Sequence, residues 1–315
     1  MKRLGSLFVL ISFLIFSNIS NAQSLVLVQF EYLSFETEEM SFQEPAENPI
    51  VTEYEIEDSL WLSLRGSYAF SSDLYGFFDL TTKQEEQGNN LKLLASLSKG
   101  DLTFRTRRGA FKGSFSQYVE GTEHQSEEVD TEYFSLDLQY SLVGIRYLNF
   151  QAPTILESPS LTVSDGGDLV TYSRDGLDPE FEFTGYEIFF QIDTLYQTLK
   201  MGEIEPDWYF GADFFLGVSE GKGKISQIGL ENYELASGNS AEKIEPTIQL
   251  FEYQLKVGAA RDLQFNGGQQ LLSFMAGYGV SWLSYSTESG GEFDDLKVFQ
   301  NIYQHGPYIS VGAVF

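Results

Sequence analysis

The chain has no cysteine. That excludes a disulfide framework and any thiolate metal centre. It also excludes the lipid-bearing cysteine that would tether a lipoprotein. Basic residues are scarce as well: 19 against 46 acidic in 315 residues, for a formal net charge of −27. A surface of that sign repels nucleic acid, so that class of partner is excluded. With only two histidines, little is left for imidazole-based catalysis or metal ligation. Beyond residue 22 no segment reaches the roughly 18–20 consecutive apolar residues of a spanning helix. Any passage of the remaining chain through a membrane is therefore expected to be made by strands.

Aromatic residues are plentiful, at 15%, which argues against acidic disorder. Many aromatics beside many acids call for two separate environments. An aromatic-rich wall with acidic loops supplies both.

The first residues read as a targeting segment. Lys2 and Arg3 precede an apolar run from Leu7 to Phe16 broken only by Ser12, and Ser20-Asn21-Ala22 offers small residues for cleavage. This pattern predicts a signal peptide over 1–22. It leaves 23–315 as one domain with 17 basic and 46 acidic residues, a charge of −29.

That domain alternates with period two. At 208–219, Trp208, Phe210, Ala212, Phe214, Leu216 and Val218 share one face; Tyr209, Gly211, Asp213, Phe215, Gly217 and Ser219 share the other. The first face suits lipid, and the second, small and polar, suits a barrel interior. Similar runs begin near Val26 and Tyr186 and occupy 271–283. Others fall near 59–70, 73–82, 90–98, 101–112, 131–140, 143–150, 247–259 and 301–315. Parity switches between Tyr140 and Val143, which predicts a turn near Ser141 rather than a bulge inside one strand. The connections alternate. Long acidic ones are expected at 36–57, 83–90, 120–130, 151–180, 220–246 and 287–299. Shorter ones fall at 71–73, 99–101, near 141, at 194–207, where a short helix is also expected, and at 260–269. The expectation is an all-β fold: a transmembrane, antiparallel, up-and-down β-barrel of twelve strands, with ten to fourteen fitting the pattern.

The final residues, Tyr308 to Phe315, place Ile309, Val311, Ala313 and the aromatic Phe315 on alternating positions. This resembles the C-terminal strand of Gram-negative outer-membrane barrels. The resemblance implies residence in the cell outer membrane, lipid and lipopolysaccharide as surroundings, and recognition by the barrel-assembly machinery through Tyr308, Val311, Ala313 and Phe315. The last strand is then expected to close the barrel on the strand near Leu25. The stretch from Asp73 to Leu80 is similar to one in nucleoside-channel barrels of the Tsx type, which also have twelve strands; no second motif matches, and no substrate is taken from it.

Parity turns twelve charged residues inward: Glu31, Arg65, Asp79, Lys92, Arg105, Arg107, Asp137, Arg146, Glu187, Asp213, Glu252 and Lys256. Neighbouring strands lie about 5 Å apart, so opposite charges on them can pair. These residues either fill the barrel with salt bridges or leave arginines lining an aqueous path for an anionic solute. His124 sits with Ser126 and two glutamates in one acidic segment, a poor frame for a triad, which is defined by geometry. His305 has outward parity and reads as a rim residue. No catalytic residue, cofactor site or specific metal site is expected. The Asp-Gly pairs at Asp165-Gly166 and Asp175-Gly176, near Glu157 and Glu180, read as turns, with at most loose divalent-cation binding by the acidic loops.

Three functions fit. The first is a narrow channel or small-solute porin with a charged lumen. The second is a non-conducting surface, structural or adhesion barrel with a salt-bridge-filled interior. The third is an outer-membrane enzyme hydrolysing lipid or peptide.

Overall fold

A computed structural model describes residues 24–37, 40–41, 50–55, 58–71, 73–84, 89–119, 122–151, 160–165, 168–173, 182–193, 208–224, 230–231, 234, 247–265, 270–288 and 299–314. The expected signal peptide (1–22), the linker 194–207 and Phe315 lie outside the described residues.

Twelve strands form a closed antiparallel barrel: β1 (Ser24–Thr37), β4 (Ser59–Ala69), β5 (Leu74–Gln84), β6 (Asn89–Lys99), β7 (Leu102–Val119), β8 (Thr122–Tyr140), β9 (Val143–Gln151), β12 (Glu182–Asp193), β13 (Trp208–Lys224), β14 (Thr247–Phe265), β15 (Gln270–Glu288) and β16 (Phe299–Val314). Each pairs with its predecessor and successor. The ring closes where β1 meets β16, from Leu25 opposite Val314 onward. Among the described residues, four further strands lie in the long connections: β2 (Met40–Ser41), β3 (Ile50–Glu55), β10 (Ser160–Asp165) and β11 (Asp168–Ser173).

Alternation in the sequence becomes the two sides of the wall. Phe210 is 82% exposed, Tyr186 73% and Ile188 68%. Apolar exposure of this extent along a closed sheet is stable only against lipid. Outward aromatics also pack laterally from strand to strand: Tyr147 on Tyr186, Phe190 on Phe214, Phe214 on Tyr253, and Phe251 on Trp282, which stacks on Tyr303. The inner positions are buried, and several inner glycines receive a neighbour's ring. Tyr133 lies over Gly109, Phe189 over Gly144, and Tyr308 over Gly258 and Gly277. The glycine-bearing inner face is therefore less open than its small residues imply.

The short turns gather at one end. The parity switch is a turn at Ser141-Leu142, with Ser141 at φ 54°; Gly100 takes φ 55° in the β6–β7 turn. Backbone bonds stitch these turns together: Gly100 N donates to Asp73 O (2.9 Å), Ser141 N to Asp101 O (2.8 Å), and Gln191 N to Leu142 O (2.8 Å).

The other end departs from the sequence expectation. Of the expected loop 120–130, residues 122–130 belong to β8. β7 and β8 stay paired to Val119 opposite Thr122, with a register shift at Gln117/Tyr118. β6 leaves β7 at Ala110, and β9 leaves β8 at Tyr133. The remainder is an arm above the barrel wall. β3 adds to its β7 side, and β2 pairs with β3, so 36–57 also holds strands. Residues 120–130, with Glu120, Glu123, Glu127, Glu128 and Asp130, lack the apolar alternation of the wall strands. In 151–180, β10 and β11 form a hairpin whose end sets Asp165 opposite Asp168.

Candidate functional site

Strand parity aims each of the twelve charges named above into the lumen, six basic and six acidic. One group surrounds Arg146 on β9. Its Nε donates to Asp137 Oδ1 on β8 (2.9 Å), and its Nη1 donates to Glu252 Oε2 on β14 (2.7 Å). Glu187 Oε2 on β12 stands 2.6 Å from Nη1. The guanidinium lies over Phe215 (4.6 Å) and Phe189 (5.2 Å). Arg107 and Arg105 approach Asp137 Oδ2 at 3.5 and 3.7 Å. Three arginines thus share three carboxylates. The Arg146, Asp137 and Glu187 side chains are 2%, 0% and 0% exposed, so only this pairing makes their ionisation tolerable.

The second group lies under β1, β4 and β5. Arg65 Nε donates to Asp79 Oδ2 (2.6 Å) and Nη1 to Gln29 Oε1 (2.9 Å). Gln29 Nε2 in turn donates to Glu31 Oε2 (3.1 Å). Lys256, from β14, donates to both Glu31 oxygens at 2.7 and 3.0 Å. Lys92 stands 4.4 Å from the Trp61 ring. Asp213 is directly opposite Lys256 in the β13–β14 ladder.

Among the described residues, bridges that reach across three strand steps include Arg146 to Glu252, Glu31 to Lys256, and Arg105 Nη1 to Gln191 Oε1 (2.5 Å). They leave a cavity of about 310 Å³ lined from every wall strand except β9. Its charged lining comprises Arg65, Lys92, Arg105, Arg107 and Lys256 against Glu31, Asp79 and Asp213. In a molecule of charge −27, five basic side chains thus face three acidic ones in this lining; Asp137, which Arg105 and Arg107 approach, is not itself part of it.

Some contributors escaped the sequence reading. Lys83 is inward and buried; its parity with Asp79 and Thr81 was the available signal, but the strand was expected to end at 82. Trp61 and Tyr133 also line the cavity, and nothing in the alternation separates them from ordinary packing residues. Arg108, adjacent in sequence to Arg107, faces outward toward Glu132 at 3.5 Å.

The histidines lie apart. His305 is on the outer wall, where its Nδ1 is 2.7 Å from Tyr278 Oη. It stands opposite Ser34 in the β1–β16 ladder. Ser34 Oγ donates to Asp58 Oδ2 (2.7 Å) and Phe35 N to Asp58 Oδ1 (3.0 Å). These bonds, the Ser34 one foremost, hold the Asp58 carboxyl below its usual range. His124 lies on β8 rather than in a loop. Its side chain and those of its acidic neighbours lie outside the described residues, as do Glu157, Asp175 and Glu180.

A closed antiparallel barrel with an apolar, aromatic-rimmed outer wall and a charged interior defines the class: this chain is an outer-membrane β-barrel protein. No family model matches it, and no curated protein is significantly similar to it. Among solved structures it is similar to the outer-membrane protease OmpT from Escherichia coli, at 9% identity and a TM-score of 0.32, covering 95% of this chain and 99% of that one. It is also similar to the translocator domain of autotransporter NalP from Neisseria meningitidis (8%, TM-score 0.25, coverage 100% and 95%). A third is the outer membrane protein OprG from Pseudomonas aeruginosa (7%, TM-score 0.19, coverage 94% and 96%). Superpositions this loose add nothing to what the barrel itself shows.

Proposed function

We propose that the protein is a narrow small-solute channel of the outer membrane with a preference for anions. The observation that carries this reading is the lumen cavity, whose five basic and three acidic side chains oppose the sign of the whole molecule. Lumen charge of one sign selects permeant ions of the other. Outer-membrane lipid and lipopolysaccharide surround the wall on this reading, and the assembly machinery engages the last strand. Planar-bilayer recording of the refolded protein tests it. Small, stepwise conductance is expected, and silence at every voltage would sink the channel.

The cross-lumen bridges favour a second reading, a barrel closed to solutes that works through the strand arm at its long-loop end. Silence in the bilayer, with Arg146→Met then conducting, is the outcome that reading requires.

A further inference from the structure

We propose that the lumen cavity is a binding site for a small organic anion with a flat apolar body, such as an aromatic carboxylate. This rests on the channel reading, because the site lies on the conducting path. Two buried donors on the cavity wall lack an acceptor among the described residues: Arg107 Nε and the indole Nε1 of Trp61. Arg107 is only loosely held, its Nη2 standing 3.5 Å from Asp137. Trp61 is 1% exposed, so its N–H is withdrawn from bulk water. A buried donor without an acceptor costs about 1–3 kcal/mol, and a ligand bringing acceptors recovers that cost. Both orphan groups are donors, and basic side chains outnumber acidic ones in the lining, so the ligand that fits is an anion.

The body of the ligand follows from the rest of the wall. Of the aromatic residues lining the same space, Phe77 and Tyr133 are only half-buried and present ring surface to it, and a flat ring stacks on such faces. The volume, about 310 Å³, is at the lower end of small-molecule pockets, which excludes lipids and oligomers. A guanidinium takes a carboxylate with planar, charge-assisted bonds.

Titration calorimetry on the detergent-solubilised barrel tests this, with benzoate as probe. Acetate carries the same carboxylate without the ring, and benzylammonium the ring with the opposite charge. Saturable benzoate binding at least about ten-fold tighter than acetate, with none for benzylammonium, is expected. Arg107→Gln should weaken it by about ten-fold or more, and the outward Arg108→Gln should leave it unchanged. Should Arg107→Gln fail to fold, Trp61→Phe keeps the ring and removes only the N–H; a loss of about five-fold is expected for one net hydrogen bond. No saturable benzoate heat, equal binding of acetate, or full affinity in both cavity variants would overturn the site. Conductance without benzoate binding removes the site and leaves the channel; binding in a silent barrel removes the channel and leaves the site.

Discussion

Arg146 holds three carboxylates from three strands at a point solvent scarcely reaches. Asp137 and Glu187 flank it in the ladders, whereas Glu252 arrives from β14. Arg146→Met would strand buried acids, and removing one member of such a group costs about 3–5 kcal/mol. Urea unfolding of the refolded barrel should show that loss, with Arg146→Lys recovering part of it. Ser141 is a different case. Its φ of 54° is strained for a residue with a Cβ, and a branched side chain there is worse. Ser141→Val should destabilise by about 1–2 kcal/mol, whereas Ser141→Asn should be tolerated. Equal stability of the two would contradict a left-handed turn. Asp58 ties the ends of β1 and β4 at the rim. Its depressed carboxyl pKa means that the tie is complete above the ordinary carboxylate pKa and is lost as pH falls through the lowered one. The protection factor of the Phe35 amide, its exchange rate relative to the intrinsic rate at the same pH, should fall in acid, and Asp58→Asn should remove that pH dependence.

Among the elements, the β1–β16 seam is the least forgiving. The ladder runs from Leu25 opposite Val314 to Glu31 opposite Tyr308 and resumes at Ser34 opposite His305. In the gap lies Pro307, which has no N–H to donate. Beside it Gly306 packs so closely on the Tyr32 carbonyl that a Cβ would overlap it. Gly306→Ala therefore pushes on backbone that cannot step aside. A lower yield of folded barrel is expected, read as the fraction keeping its compact, heat-sensitive gel mobility; an unchanged yield would mean that the seam has slack. The twelve wall strands were legible in the sequence because lipid demands an apolar residue at every second position, as between Trp208 and Ser219. The β7–β8 arm and β3 were not, because 36–57 and 120–130 are crowded with acidic residues and read as connections. Even the Ser141 turn was legible, through the flip in parity from Tyr140 to Val143, although no glycine or proline marks it.

For the whole molecule, acidity outside and a basic majority among the charged side chains lining the cavity are two halves of one distribution. Parity brought all twelve lumen charges within reach of sequence reasoning. Their partners across the barrel were not legible: Glu31 with Lys256 and Arg146 with Glu252 meet only because the sheet closes, and closure places residues far apart in sequence face to face. The orphan donors Trp61 and Arg107 are likewise properties of the closed lumen. The reversal potential of single channels across a salt gradient measures that distribution directly. With potassium chloride on both sides at unequal concentration, the reversal potential should take the sign set by chloride and move toward zero in an Arg105→Gln, Arg107→Gln double variant. A potential of the sign set by potassium in the unaltered protein would contradict a cationic path through this barrel.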